Sequence, residues 1–341
     1  MIRRREFITL LRGAAAWPIA ARAQQPAMPV IGWLGTGWED TASEQIQAFR
    51  EGLSGVGFVV GKNVAIEYRW EEAQQDRMPA LAADLVRRQA AVIIAYGGPR
   101  PARAAMSATS TIPIVFSAAS DPVAAGLVAS LNRPGGNVTG IYNLANELGT
   151  KQLELIREVV PAASTVALLV HSGTPGADLL PKDLQATVRS LGLHLVILSA
   201  GSERELEAVF ASFTQQRPDA LLIQADTFLS HWRIQIAAAA AQHAIPTIAG
   251  SHDFAAAAGL MTYGGSFTEN YHPLGVYTGR ILKGEKPGDL PVVQSTKFEL
   301  AILGPYRPSP FRASPASISA ASRRSGGCCK ALSESEASAA A

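Results

Sequence analysis

The sequence predicts an α/β protein with parallel sheets in two similar lobes. Three observations carry this. From Met28 onward, short apolar runs rich in β-branched residues alternate with amphipathic or Ala-rich segments. The halves echo each other: Val92-Ile93-Ile94-Ala95-Tyr96-Gly97, an Ala-rich segment and Ile112-Pro113-Ile114-Val115 resemble Leu221-Leu222-Ile223-Gln224-Ala225-Asp226, an Ala-rich segment and Ile245-Pro246-Thr247-Ile248. Both second runs lead to small polar residues and an aspartate, Asp121 and Asp253, and such strand ends are where open α/β sheets bind ligands.

In chain order, Val30 to Gly35 reads as a strand, and Thr41 to Leu53 as a helix with Ile46, Phe49 and Leu53 at helical spacing. Val64 to Trp70 alternates like a half-buried strand, and Met78 to Arg88 is helical. Ala91 to Tyr96 is a strand ending at Gly97-Gly98, followed by a helix from Pro101 to Thr109. Ile112 to Phe116 is a strand buried on both faces. Asp121 suits an N-cap and Pro122 a first helical turn, so a helix is expected there. Asn132 to Asn137 is a turn into a strand, Val138 to Tyr142.

The second half repeats the pattern: helix 148–159, strand 165–170, helix 184–191 and strand 194–198. A helix opened by Ser202 carries Glu205 in capping-box position. Strand 220–224, helix 232–243 and strand 245–248 follow. Strand 259–263, helix 271–282 and an extended segment 291–303 end the ordered pattern and suggest several crossings between lobes, which would act as hinges.

The 341 residues suffice for two lobes, and a net charge of +2 without a basic, aromatic-interleaved stripe gives nucleic-acid binding no support. Residues 1–23 read as a twin-arginine-type signal peptide: Arg4-Arg5-Glu6-Phe7-Ile8, a moderately apolar segment, then Ala21-Arg22-Ala23 as a cleavage site. Its apolar core is too short to span a bilayer, so an exported, periplasmic product is expected. Cys328 and Cys329 are adjacent and near the end, so disulfides are not expected to hold the body together.

From Met28 to Leu300 the chain resembles the periplasmic substrate-binding proteins of ABC transporters, in the group similar to tryptophan/tyrosine transporter binding proteins. The resemblance is carried by Val30-Ile31-Gly32-Trp33-Leu34-Gly35, Asn63 to Trp70, Asp121-Pro122-Val123, Leu131 to Gly140 and Pro291 to Leu300. It implies the type 1 fold, two Rossmann-like lobes joined by a multi-crossing hinge. It also implies a small-molecule ligand in the cleft, an aromatic or other amino acid, and an ABC permease and ATPase as partners. On this reading lobe 1 comprises 28–142 plus 265–290 and lobe 2 comprises 143–264 plus 291–303, in a monomer that does not span the membrane. After Leu300 the pattern departs from the family. The Ser/Ala/Arg-rich residues 304–341 read as disordered, or as the product of a reading-frame shift near Ala301.

An amino-acid ligand needs an ammonium acceptor, carboxylate donors and apolar walls. The candidates lie at strand ends: Thr36, Gly37, Tyr96, Gly97, Gly98, Ser117, Ser120, Asp121, Asn143, Asp226 and Asp253. Asp121 and Asp253 read first as N-caps. Asp226 is the stronger ammonium acceptor, because no obvious helix starts after it. Tyr96 or Trp38 would stack on a ring, and His171 and His252 sit at strand ends. No histidine pair has metal-ligand spacing, and there is no P-loop, GxGxxG after a strand, or GxSxG elbow, so neither metal nor cofactor is expected. A sensing subunit of a signalling receptor is the alternative function. An α/β enzyme would need a nucleophile and base that no motif supplies, and the mature body has no cysteine for a two-cysteine racemase.

Overall fold

The computed structural model describes residues 28–72, 74–143, 148–172, 182–251, 253–256, 261–265, 267–295 and 298–302. The expected signal peptide, residues 304–341, both cysteines and His252 lie outside these.

The first sheet is built from β1 (Val30–Gly35), β2 (Ala65–Trp70), β3 (Val92–Tyr96), β4 (Ile114–Ala118), β5 (Val138–Tyr142) and β11 (Val293–Gln294). Its order is β11-β5-β4-β3-β1-β2, and every neighbouring pair is parallel. The second sheet contains β6 (Thr165–His171), β7 (His194–Ala200), β8 (Ala220–Ile223), β9 (Thr247–Ala249), β10 (Met261–Gly265) and β12 (Phe298–Ile302). Its order is β12-β10-β9-β8-β6-β7, with only β12 antiparallel to its neighbour. The echo in the sequence is therefore structural. β3 and β4 hold the same places in the first sheet as β8 and β9 hold in the second.

The helices of the first half are α1 (Ser43–Gly55), α2 (Met78–Arg87) and α3 (Pro99–Ala108). Those that follow are α4 (Gly149–Val159), α5 (Lys182–Ser190), α6 (Glu203–Gln216), α7 (Thr227–His231), α8 (Arg233–Gln242), α9 (Asp253–Ala256) and α10 (Phe267–Leu282). Strand alternation assigns the two faces of each sheet. Ile31, Trp33, Ile94 and Val115 pack with Phe49 and Leu53 of α1 and Leu274 and Tyr277 of α10. Leu34, Ile93, Ile114 and Phe116 face the other way, onto Leu85 of α2 and Ala102 and Ala105 of α3. In the second half, Val166, Leu168 and Leu222 meet Leu153 and Ile156 of α4, while Ala167, Leu169 and Leu221 meet α6 and α8. β1, with Ile31 to Gly35 all buried, is a central strand, whereas half-exposed β2 is an edge.

Two local expectations are corrected. No helix follows Asp121. Its Oδ1 accepts from the N–H groups of Val123 (2.8 Å) and Ala124 (3.3 Å), but the chain makes only turns as far as Leu127. Val123 is exposed, and the segment presents too narrow an apolar face to hold a helix against the sheet. Conversely, a helix does start after Asp226: α7, which Asp226 caps by accepting from Phe228 N (2.7 Å) and Leu229 N (3.3 Å).

The last extended segment divides between the halves. Val293–Gln294 pairs with β5 of the first sheet, and Phe298–Ile302 pairs with β10 of the second. The chain thus passes between sheets three times: after β5, after β10 and between β11 and β12. At Ser202 the capping box takes a variant form. The Ser202 hydroxyl accepts from Glu205 N at 3.4 Å, and the Glu205 carboxylate accepts from Gly201 N at 2.6 Å, one residue further back.

Candidate functional site

The carboxyl ends of the strands in both sheets meet around a cavity of about 210 Å³. The first half supplies Gly97-Gly98 after β3, Ser117 to Ser120 at the end of β4, Gln45 from α1 and Tyr271 from α10. The second supplies Gln224 to Thr227 after β8, Gly250-Ser251 after β9 and Gly265 at the end of β10. A parallel sheet brings these residues together because all its strand ends point the same way.

Gly97 and Gly98 have φ of +92° and +109°, which only glycine adopts without strain. They turn the chain sharply from β3 into the amino terminus of α3. Gly98 N donates to Ser117 O at 3.1 Å, and Thr36 Oγ1 donates to Gly97 O at 3.4 Å, so the turn is tied to both neighbouring strands. Ser117 and Tyr96 hydrogen-bond the Tyr271 hydroxyl, whose pKa burial pushes up to about 12. Asn143 N donates to Ala118 O at 3.0 Å and marks the exit from the first sheet.

On the facing rim Asp226 does two things at once. Its carboxylate closes the amino terminus of α7, and it lies 3.2 Å from His171 Nδ1. His171 is itself buried and stacked on Phe228, with centroids 4.8 Å apart. Behind them Glu71 of the first half is buried and paired with Arg100. Burial raises the Glu71 pKa, Arg100 and His171 oppose the shift, and Asp226 adds to it. The charges of the two rims therefore act on one another directly.

Of the residues expected from sequence, Tyr96, Gly97, Gly98, Ser117, Ser120, Asn143 and Asp226 line the cavity. Thr36 and Gly37 do not. They sit beside it, against Thr227, where the halves touch. Asp121 is exposed and turned into its own loop. Asp253 opens α9, and its side chain lies outside the described set. Trp38 stacks on His231 rather than facing the cavity. The residues sequence reasoning missed are chiefly Gln45, Gln224, Thr227, Ser230, Asn270 and Tyr271. A signal existed for two of them. Gln45 stands in the stripe that continues with Phe49 and Leu53, and Asn270 in the one that continues with Leu274, so each is a polar residue at an apolar position.

Among the described residues, no cluster of His, Cys, Asp and Glu could hold a metal ion, and no helix is long and apolar enough to cross a membrane.

Comparison with known proteins agrees with this geometry. The profile described as ABC transporter substrate binding protein matches residues 39–303. The tyrosine-binding protein of Clostridioides difficile is 25% identical over 256 residues, 75% of this chain and 73% of that protein. A crystal structure of a conserved domain protein from Vibrio cholerae has a TM-score of 0.77 at 23% identity, covering 86% of this chain and 98% of that one. The ABC domain in complex with L-Trp from Streptococcus pneumonia has a TM-score of 0.68 at 24% identity, covering 80% and 91%. These structures share the two-sheet fold. With the family profile covering every strand except β1, and every strand end that lines the cavity, the chain belongs to the ABC transporter substrate binding proteins.

Proposed function

We propose that this protein is the exported, monomeric solute-binding component of an ABC importer, and that an amino acid bound between its halves is handed to a membrane permease. The observation that carries this is the cavity lined by the strand ends of both sheets. A solute there touches both halves, so its binding energy favours the closed arrangement over the open one by the difference in its affinity for the two. The permease would read the closed outline.

Asp226 is the seat for the ammonium group, being the carboxylate on the cavity wall. The carboxylate of the ligand faces the Ser120 hydroxyl and the amino terminus of α3, where the helix dipole and the Arg100 N–H favour an anion, Pro99 and Pro101 having no N–H to give. The tyrosine and tryptophan ligands of the relatives support an amino acid as the class. The twin-arginine pattern and the Ala21-Arg22-Ala23 site support export, with cleavage near Ala23. Binding and release, with no covalent step, account for the residues present.

The test is calorimetry with the standard amino acids on wild type and Asp226→Asn. Asparagine keeps the cap of α7 while removing the charge. Affinity is expected to fall about tenfold or more, the size of a lost charge-assisted hydrogen bond, with an unchanged unfolding transition. Failure of every amino acid to bind or to raise the unfolding temperature would overturn the proposal.

A further inference from the structure

The carboxylate of Asp226 is held by more than the helix it caps. Its Oδ1 accepts from Phe228 N at 2.7 Å and from Leu229 N at 3.3 Å. Those bonds hold one oxygen and leave the other free to swing, because the terminal torsion of an aspartate is broad. His171 removes that freedom. Its Nδ1 stands 3.2 Å from Oδ1 and 3.2 Å from Oδ2, so it engages both oxygens. An ionised carboxylate only accepts, so Nδ1 carries the proton and donates. The imidazole is held in its turn. His171 ends β6, an inner strand of the second sheet, and its ring stacks on Phe228 with planes 19° from parallel. Its side chain is 8% exposed and does not line the cavity, whereas that of Asp226 keeps 18% exposure and does. The imidazole thus supports Asp226 from behind and leaves it open to a solute in front.

Resting on the amino-acid reading above, we infer that His171 is a positioning residue, which sets the Asp226 carboxylate for the ligand's ammonium group without touching the ligand. The ammonium group then meets an acceptor already in place, and binding does not have to immobilise it. A binding group whose rotamer is locked by a second residue on a rigid strand keeps its geometry more closely than one on a loop alone. Without the imidazole N–H the helix cap and the cavity remain, but the carboxylate must be ordered at the expense of ligand affinity.

The test is calorimetry on the full chain with the standard L-amino acids, comparing His171→Leu with His171→Asn. The two substitutes have nearly the same shape, and only asparagine brings an N–H to Asp226. His171→Leu is expected to lose about fivefold in affinity for each amino acid that binds, and His171→Asn to stay within about twofold of wild type. In an Asp226→Asn background, His171→Leu is expected to cost less than about twofold, because a residue acting only through Asp226 has nothing left to position. A merely structural residue would cost the same factor in both backgrounds and would not be rescued by asparagine. Should His171→Leu fail to fold, His171→Phe, which keeps a ring on Phe228, takes its place. Where Asp226→Asn binds too weakly to rank, the recovery by asparagine decides. Wild-type affinity in His171→Leu, no recovery in His171→Asn, or equal losses in both backgrounds overturns the inference and leaves the amino-acid reading standing. Binding of no amino acid by the folded wild type removes that reading, and the inference with it.

Discussion

The hydroxyls of Thr36 and Thr227 lie 3.0 Å apart. Thr36 follows β1 of the first sheet and Thr227 opens α7 of the second, so this bond joins the halves directly. Beside it Trp38 stacks on His231 with centroids 3.9 Å apart and planes 20° from parallel, and its ring lies 6.4 Å from that of Phe228. Contacts of this kind form only when the rims meet. They bias the closed state from the edge of the cavity, which Thr227 borders and Thr36 does not.

Thr227→Val removes the hydroxyl pair and nearly keeps the shape. A net hydrogen bond is worth about 1 kcal/mol, so the closed-to-open ratio should fall about fivefold and ligand affinity with it. The unfolding transition should barely move. Calorimetric affinity together with the radius of gyration from small-angle scattering checks this. An unchanged value of both would show that closure does not use the Thr36–Thr227 bond.

His231 gives the same contact a pH dependence. Burial lowers its pKa below the ordinary 6.5, Arg233 lowers it further, and Asp40 partly opposes them. A lowered histidine pKa means that the neutral ring is favoured where it is buried. As pH falls below 6.5, an opened or unfolded chain takes up the proton first, so acid draws the equilibrium away from the closed, folded form. Stability and affinity should both be lower at about pH 5.5 than at about pH 7.5. His231→Phe, which preserves the stack on Trp38, should flatten that difference. Urea midpoints and ligand affinities at the two pH values decide it, and a variant as pH-sensitive as wild type would clear His231 of the effect.

The crossing of α1 and α10 rests on glycine. A Cβ on Gly275 would overlap the Phe49 carbonyl oxygen, and one on Gly52 would overlap that of His272. Gly275→Ala must push the helices apart, and overpacking of this kind costs roughly 1–3 kcal/mol, more than the up to about 1 kcal/mol that alanine's helix propensity returns. Urea denaturation should show net destabilisation. A more stable variant would contradict the close approach.

How much of this was readable in advance depended on whether the determinants were local. Val138 to Tyr142 is legible to the residue, because a turn and a β-branched run bound it. The Asp-Pro pair at 121–122 misleads, because capping chemistry satisfies a turn as well as a helix, and only the burial of a face distinguishes them. At Asp226 the error is opposite. Phe228 and Leu229 make α7 a helix by burying themselves on the second sheet, a contact the local pattern does not display. Asn270 falls just before the helix expected over 271–282, so its place in the stripe of Leu274 is not counted. A helix beginning at Tyr271 keeps Pro273 in its first turn, whereas α10 begins at Phe267 and takes it inside. Gln45 and Asn270 meet at one cavity only because the chain returns to its first sheet after completing most of its second.

That return has a consequence for how the molecule is made. The outermost strand of the first sheet, Val293–Gln294, and the helix covering α1 are among the last described segments to be synthesised. A nascent chain that has already produced β1 to β5 still lacks its long covering helix, and the apolar face of Trp33, Ile94 and Val115 stays partly bare while everything up to β10 is translated. The first half cannot mature on the ribosome before these segments emerge. Its assembly waits for them, slow by the measure of its long-range contacts and exposed to aggregation in the interval.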